Sequence, residues 1–114
     1  MTADYNAAVR DHWIDVLEDD QGMSGLIEII PGQAHLVIEN LAVREDRQGS
    51  GLATVLLRHA EDLAKQNGIP ELRLYTNAAF ASNLEFYRAR GFVETERTGL
   101  PDGGTMVHFA KPVS

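Results

Sequence analysis

The hydrophobic pattern of this chain changes its period after residue 43, and that change limits the folds that are open to it. From residue 34 to residue 43 apolar and polar side chains alternate, which is typical of a β-strand. Apolar residues then recur at steps of three and four, which predicts one amphipathic helix over residues 51–67. Residues 72–76 form a short apolar strand after it. The sequence therefore predicts a strand–helix–strand unit in a mixed α/β fold.

Two strands are expected before this unit. Residues 12–18 and 26–30 are rich in apolar side chains, and the tetrapeptide Asp-Asp-Gln-Gly between them has strong turn chemistry, so we expect a hairpin. A Pro-Gly pair then turns the chain into the alternating strand. Three antiparallel strands should thus follow one another. Residues 3–10 are good helix formers and predict a short helical segment ahead of the hairpin.

A second helix and two further strands are expected after the unit. Ser82 and Glu85 have the spacing of a capping box, which predicts a helix start, and Gly91 ends that helix. Residues 92–98 and 105–110 are predicted to be strands on either side of a Pro-Asp-Gly-Gly turn. The resulting prediction is a mixed, mostly antiparallel sheet flanked by helices.

Length and composition favour one globular domain over residues 1–114. The chain has 114 residues, 44% of them hydrophobic and 24% charged, which is close to the globular average. We find no apolar run of the roughly 20 residues that a bilayer crossing needs and no leader-like start, so we expect a cytoplasmic protein without a membrane partner. The absence of cysteine excludes disulfides and thiolate chemistry.

Negative charge is concentrated at the front of the chain. Residues 1–40 hold eight acidic residues and one basic residue, while the whole chain has a net charge of −7. This charge repels a phosphate backbone, so nucleic-acid binding is disfavoured and cationic or neutral partners are favoured. A merely solvated acidic surface is the alternative. The four histidines have no metal-ligand spacing, and we propose no metal.

A glycine-rich segment lies between the alternating strand and the long helix. Two glycines and a serine let the backbone approach a ligand closely, and free amides at a helix start bind anions. A phosphate or diphosphate suits such a site, although an ordinary turn is the alternative. The segment lacks the Gly-Lys-Ser/Thr of a Walker loop, and Thr54 stands where a dinucleotide fingerprint needs its third glycine. Its residues are Gln48, Gly49, Ser50, Gly51, Leu52 and Ala53.

The order of these elements over residues 12–110 resembles the GNAT superfamily of acetyl-CoA-dependent N-acetyltransferases. The motifs that carry the resemblance are Leu41-Ala42-Val43, then Gln48-x-x-Gly51-x-Ala53, then the helix and strand, and finally Asn83-x-x-x-Tyr87-x-x-x-Gly91-Phe92. The resemblance implies an acyltransferase with acetyl-CoA as cosubstrate. It also implies that the backbone of Gln48, Gly49, Ser50, Gly51, Leu52 and Ala53 holds the coenzyme A diphosphate, and that Leu41, Ala42 and Val43 pair with the pantetheine arm.

The resemblance implies two roles on the second helix. It places Tyr87 beside the coenzyme A sulfur, where a phenol could protonate the leaving thiolate, and the alternative is a tyrosine that packs in the core. Asn83, one turn earlier, could hydrogen-bond the pantetheine. The commonest family pattern has an asparagine seven residues before the tyrosine, but Phe80 occupies that position here.

Glu39 is the candidate general base. It lies on the strand that leads to Val43, and strict alternation places it on the same face as Val43. Family members often have a glutamate on this strand or use a water molecule instead. The remaining alternative for Glu39 is a solvent-facing strand carboxylate.

The front of the chain departs from the family pattern. The family fold begins with a strand and two helices before the hairpin, whereas only residues 3–10 precede it here. We expect this difference to expose apolar surface, which a homodimer would cover unless the chain is a truncated product.

Three functions remain open at this stage. The first is acetylation of a primary amine on an unidentified small molecule or peptide. The second is a module that binds coenzyme A or a partner chain without catalysis. The third is an interaction domain that does not bind coenzyme A. The acidic front favours a cationic small molecule as the acceptor.

Overall fold

A computed structural model describes residues 12–113, which form a six-stranded sheet, two α-helices and one short 3-10 helix. Every strand and helix predicted from residue 12 onward is present, whereas the helical segment predicted for residues 3–10 lies outside the described residues. The elements are β1 (Trp13–Asp19), β2 (Gly22–Ile30), β3 (Leu36–Val43), the 3-10 helix (Glu45–Arg47), α1 (Leu52–Gln66), β4 (Glu71–Asn77), α2 (Ala81–Ala89), β5 (Val93–Gly99) and β6 (Thr105–Pro112).

The sheet is mixed and mostly antiparallel, as predicted. Its strand order is β1-β2-β3-β4-β6-β5. The first three strands follow one another as antiparallel neighbours, and β3 pairs with β4 in parallel after the crossover through α1. The strands β4, β6 and β5 complete the sheet with antiparallel pairs. The one parallel pair therefore lies in the middle of the sheet.

Both helices pack on the same face of the sheet. The buried stripe of α1 meets apolar side chains of β2 and β3, and the alanines in this stripe let the helix approach the sheet closely. On α2, Leu84 is buried, and the Tyr87 ring lies 6.1 Å from the ring of Phe109 on β6. Neither helix in the described range is long and apolar enough to cross a membrane. The stripe of α1 consists of Leu56, Leu57, Ala60 and Ala64.

The opposite face of the sheet, called the open face below, carries no helix within residues 12–113. Ile14 on β1 is 52% exposed, and Val93 on β5 is 64% exposed. Between these edges the face is mixed, since Arg73, Tyr75 and His108 lie on it together with the half-buried Val37. Within the described residues, the strongly exposed apolar side chains of this face thus include Ile14 and Val93 at its two edges, and the exposure expected from the short front of the chain stays a prediction.

A β-bulge interrupts the pairing of β2 with β3. Ile38 lies opposite Ile29, and Asn40 lies opposite Glu28, so Glu39 is an extra residue with no partner on β2. An extra residue shifts the alternation of the strand by one position, which moves the residues after it to the other face.

Because of the bulge, Glu39 lies on a different face of the sheet from the one predicted. Leu41 and Val43 pack against the core on the helix side of the sheet. Glu39 instead accepts a hydrogen bond from Tyr75 on the open face. The prediction that Glu39 shares a face with Val43 is wrong, because it assumed an uninterrupted alternation along β3.

The start of α2 also differs from the expectation. The helix is capped at Phe80 without a side-chain hydrogen bond, and Ser82 lies inside the first turn, so the predicted capping box is wrong. Asn77, at the end of β4, instead stabilises the turn that leads into the helix. Its side-chain oxygen accepts the N–H of Ala79 at 2.9 Å, and its carbonyl accepts the N–H of Phe80 at 3.0 Å.

The packing of α1 predicts that truncating two neighbouring aliphatic side chains changes stability by very different amounts. Leu56 is 2% exposed, whereas Val55 is 51% exposed. Leu56→Ala should lower the free energy of unfolding by about 2–5 kcal/mol, because it leaves a cavity under the helix. Val55→Ala is the matched control, with an expected change within about 0.5 kcal/mol. Urea unfolding followed by circular dichroism measures both, and equal losses would contradict the packing described here.

Candidate functional site

A gap opens between the two central strands. The parallel pairing of β3 with β4 ends at Ile38 and Leu74, after three residue pairs. Both strands continue beyond these residues, β3 to Val43 and β4 to Asn77. The edge of β3 that faces β4 therefore has backbone groups with no partner on β4 from Glu39 onward. An extended ligand could add to this edge as a strand does.

The loop after β3 owes its shape to two glycines. Gly49 has φ +82° and Gly51 has φ +89°, a region that residues with a Cβ rarely adopt. A Cβ at either position would meet nothing within 4 Å, so the backbone conformation, not crowding, requires glycine. The loop closes on itself because the N–H groups of Gln48 and Ser50 donate to the carbonyls of Glu45 and Arg47.

The N-terminus of α1 is left without a cap. Gly51 occupies the N-cap position and makes no side-chain hydrogen bond, and the first turn contains no acidic residue. The first intrahelical bond runs from Val55 to the carbonyl of Gly51 at 3.1 Å, so the amides of Leu52, Ala53 and Thr54 precede the hydrogen-bonded helix. These amides and the positive end of the helix dipole together favour an anion.

Two arginines near this loop are already neutralised. Asp19, at the end of β1, lies 3.0 Å from Arg44 and 2.8 Å from Arg47, and Arg44 also contacts Asp46. The N–H of Gln21 and these guanidinium groups lower the pKa of Asp19. Asp19 thus holds the loop against the β1–β2 turn. The arginines consequently add little free positive charge to the loop.

A cleft of about 660 Å³ joins the strand gap to the uncapped helix. One wall consists of the end of β3 and the glycine loop with the first turn of α1, and the other wall is α2. The structure brings together most of the predicted binding residues here, with Ala42 and Ser50 on the same segments but outside the lining. The lining includes Leu41, Val43, Gln48, Gly49, Gly51, Leu52, Ala53, Asn83 and Tyr87.

Tyr87 combines the two interpretations that the sequence left open. Its ring packs edge-on against Phe86 and Phe92, at centroid distances of 5.3 and 5.7 Å, so it is part of the core. It also lines the cleft. Burial raises the pKa of the Tyr87 phenol, so the group stays protonated at neutral pH.

Polar side chains fix the two walls beside Tyr87. Asn83 is exposed one turn before Tyr87, and its side-chain nitrogen lies 3.5 Å from the hydroxyl of Thr76 on β4. Across the cleft, the side chain of Gln48 donates to the carbonyl of Val43 at 3.3 Å. Gln48 thereby uses an acceptor on the same strand end that forms the edge of the gap.

Glu39 and Tyr75 mark the point where the two strands separate. Each is the first residue after the last parallel pair, Ile38 with Leu74. The Tyr75 hydroxyl donates to Glu39 at 2.6 Å, and this bond, burial and the charges of Glu39 and Glu28 raise the pKa of Tyr75 to about 12. Tyr75 therefore remains a donor and holds the carboxylate in place. Glu39 does not line the cleft that contains Tyr87.

Sequence reasoning missed two residues of the site. Tyr75 lies on a predicted strand, and only the tertiary pairing shows that it meets Glu39. Arg90 follows α2, lines the cleft and donates to the hydroxyl of Thr54 at 3.0 Å. Neither residue has a local sequence signal for its role. Within residues 12–113 no group of three or more metal-ligating side chains is found.

The comparison with family models identifies the family. The model of the acetyltransferase (GNAT) family matches residues 2–92, which is most of the chain. The chain therefore belongs to the GNAT acetyltransferase family. The resemblance inferred from the motifs is confirmed, and the mixed fold agrees with it.

Two relatives show how far the sequence similarity extends. The chain is 37% identical to streptothricin acetyltransferase of Streptomyces lavendulae over 57 residues, 50% of this chain and 30% of that protein. It is 28% identical to probable N-acetyltransferase 14 of Xenopus tropicalis over 93 residues, 80% of this chain and 45% of that protein. The chain thus spans less than half the length of these relatives.

The structural comparison supports the fold. A GNAT family acetyltransferase from Elizabethkingia anophelis, solved with acetyl-CoA bound, superposes with a TM-score of 0.79 and 17% identity. The match covers 97% of this chain and 83% of that one.

The loop geometry predicts an effect of adding one methyl group. Gly51→Ala should lower the free energy of unfolding by about 1–2 kcal/mol, because a Cβ is strained at φ +89°. Gly99→Ala is the matched control, since Gly99 has neither a positive φ nor a neighbour within 4 Å of a Cβ. Urea unfolding compares the two variants. A Gly51→Ala protein as stable as the control would show that the loop tolerates another conformation.

Proposed function

We propose that this chain transfers an acetyl group from acetyl-CoA to a primary amine. The observation that carries the proposal is the cleft, which connects an uncapped helix N-terminus to a gap in the sheet. An anion site at one end and an unpaired strand edge at the other suit a ligand with a diphosphate and an extended amide-containing arm. Family membership supports acetyl-CoA as that ligand.

The donor would be held mainly by main-chain groups. In this proposal the amides of Gly49, Gly51, Leu52 and Ala53 bind the diphosphate, while Gln48 and Ser50 shape the loop that presents them. The strand edge formed by Leu41, Ala42 and Val43 pairs with the pantetheine arm, and the Asn83 side chain reaches the same arm from α2. Main-chain binding explains why side-chain charge is scarce in the cleft.

The chemistry proposed is a direct attack without a covalent enzyme intermediate. The neutral amine attacks the thioester carbonyl carbon, so that a C–N bond forms and, as the intermediate collapses, the C–S bond breaks. A backbone amide near Val43 polarises the carbonyl oxygen. Before the attack Glu39, directly or through a water molecule, takes one proton from the acceptor ammonium. As the intermediate collapses, Tyr87 gives its phenolic proton to the departing sulfur, and the second proton on the nitrogen goes to solvent.

The two proton-transfer groups would act from opposite faces of the sheet. Tyr87 lies on the helix side, and Glu39 points to the open face beside the gap. The thioester carbon must therefore sit in the gap itself, with the acceptor approaching from the open face. The Tyr75 hydroxyl orients the Glu39 carboxylate for this task, which makes Tyr75 a positioning residue.

The open face favours an acceptor with positive charge. Glu28 and Glu39 lie on it, and Glu96 lines a cavity of about 470 Å³ beside Tyr75, while Arg73 in the same lining is paired with Glu71. Carboxylates attract an ammonium group and exclude anionic acceptors. The name of the relative streptothricin acetyltransferase supports a small-molecule acceptor without identifying one for this chain. We therefore propose a small amine that carries a second cationic group.

The activity can be tested with one pair of proteins. The unaltered chain should bind acetyl-CoA in calorimetry and release thiol when amines are added, with cationic diamines favoured over neutral amines. Tyr87→Phe keeps the ring packing, so it should bind acetyl-CoA normally while kcat falls about 10²-fold. Full turnover by this variant would refute the role of Tyr87. Binding without thiol release on any amine would favour the non-catalytic module instead.

The role of Glu39 predicts a change in pH dependence. Glu39→Gln should lower kcat at pH 7 by about 10²-fold, because the acceptor ammonium loses its nearby base. The deficit should shrink as the pH rises toward the amine pKa of about 10, where the free amine forms without help. Tyr75→Phe should reproduce part of the loss and the same trend. A constant deficit at all pH values would indicate a structural role only.

A further inference from the structure

Arg90 joins the two walls of the cleft. Its Nε donates to the Thr54 hydroxyl at 3.0 Å, and one Nη donates to the carbonyl of Phe86 at 3.0 Å. The guanidinium also lies over the Phe86 ring, 3.6 Å from its centroid. Three contacts in different directions leave the side chain little freedom. The guanidinium is thus held in one position at the edge of the cleft.

This cation still has donors to offer. A guanidinium has five N–H groups, and the contacts to Thr54 and Phe86 use two of them. No carboxylate within residues 12–113 forms an ion pair with Arg90, whereas Arg47, the other arginine of the cleft, is paired with Asp19. Arg90 is therefore the uncompensated permanent charge in the described part of the cleft, and it suits an anion that accepts two hydrogen bonds.

The order of the chemical groups in coenzyme A indicates which anion this is. From the sulfur the molecule runs through the pantetheine arm and the diphosphate to a ribose 3′-phosphate with its adenine. The proposed function places the sulfur at the gap beside Tyr87 and the diphosphate on the amides at the start of α1. The nucleotide end must then leave the cleft past that helix start. Arg90 stands there, bonded to Thr54, the third residue of α1.

We propose that Arg90 binds the 3′-phosphate of coenzyme A and makes the chain prefer coenzyme A over its 3′-dephospho form. The inference rests on the proposed function, because the direction of the ligand in the cleft follows from it. Because its contacts already fix the Arg90 guanidinium, little side-chain entropy is lost when it binds a phosphate. The planar fork of its N–H groups also matches the spacing of two phosphate oxygens. Arg90 is thus a specificity residue beside the start of α1.

The test compares two ligands on the same proteins. Calorimetry on the full chain should show coenzyme A binding about 10–100-fold tighter than 3′-dephospho-coenzyme A. In Arg90→Met this preference should fall to near one, with the affinity for the dephospho form unchanged. Arg90→Lys keeps the charge without the fork and should keep part of the preference. Arg88→Met, in the last turn of α2 and paired with Glu94 outside the cleft, should keep all of it.

Each other result decides against the proposal. An equal loss of affinity for both ligands in Arg90→Met would mean that Arg90 contacts the diphosphate or only joins the helices. An unchanged preference would mean that it does not contact the 3′-phosphate. If Arg90→Met unfolds, shown by its circular dichroism, Arg90→Lys decides the question by the same ratio. Failure of the unaltered chain to bind either ligand would overturn the proposed function itself, which is a distinct outcome.

Discussion

The separation of two parallel strands after only three residue pairs is the constraint on which the rest of the structure depends. Up to Ile38 and Leu74 the strands hold each other, and the residues there are buried beneath α1. Beyond that point their backbone groups need other partners. The gap therefore determines where an extended ligand can bind, and it also places Glu39 and Tyr75 at its closed end. The early separation of β3 from β4 therefore shapes both the sheet and the candidate site.

The burial of α1 keeps the anion site in register with this gap. Its apolar stripe is fixed against β2 and β3, so its N-terminus cannot move away from the end of β3. The loop between them turns into the helix at Gly49 and Gly51, whose positive φ values make that turn possible. Free amides at a helix start are common in proteins, but here the core packing directs them into a cleft.

The sequence predicted most of the fold because the signals involved are local. The three- and four-residue spacing that ends at Ala64 and the glycine after it define α1 within a residue or two at each end. The glycine loop was recognisable for the same reason, since its chemistry depends on adjacent residues. The antiparallel succession of the first three strands and the crossover through α1 were predicted for the same reason, whereas the position of β6 between β4 and β5 was not.

The parts that could not be predicted depend on contacts between distant residues. A bulge adds one residue to a strand, and nothing in the alternation around Glu39 shows where the addition falls. Ser82 has good capping chemistry, but the turn made by Asn77 starts the helix earlier. Arg90 is held beside the start of α1 by a hydrogen bond to Thr54, which lies 36 positions before it in the sequence. Such residues become visible only when the sheet and helices are assembled.

The extra residue in β3 has a consequence for how such a protein can change. The alternation of side chains is offset by one residue across the bulge. Leu41 and Val43 therefore lie on the apolar helix side of the sheet, while Glu39 lies on the charged open face. Under the proposed mechanism, these two sides handle different substrates. Substitutions on the open face could then alter the choice of amine while the donor pocket stays intact. Removing the single inserted residue, in contrast, would turn Leu41 and Val43 toward the open face, so one deletion would disturb both surfaces.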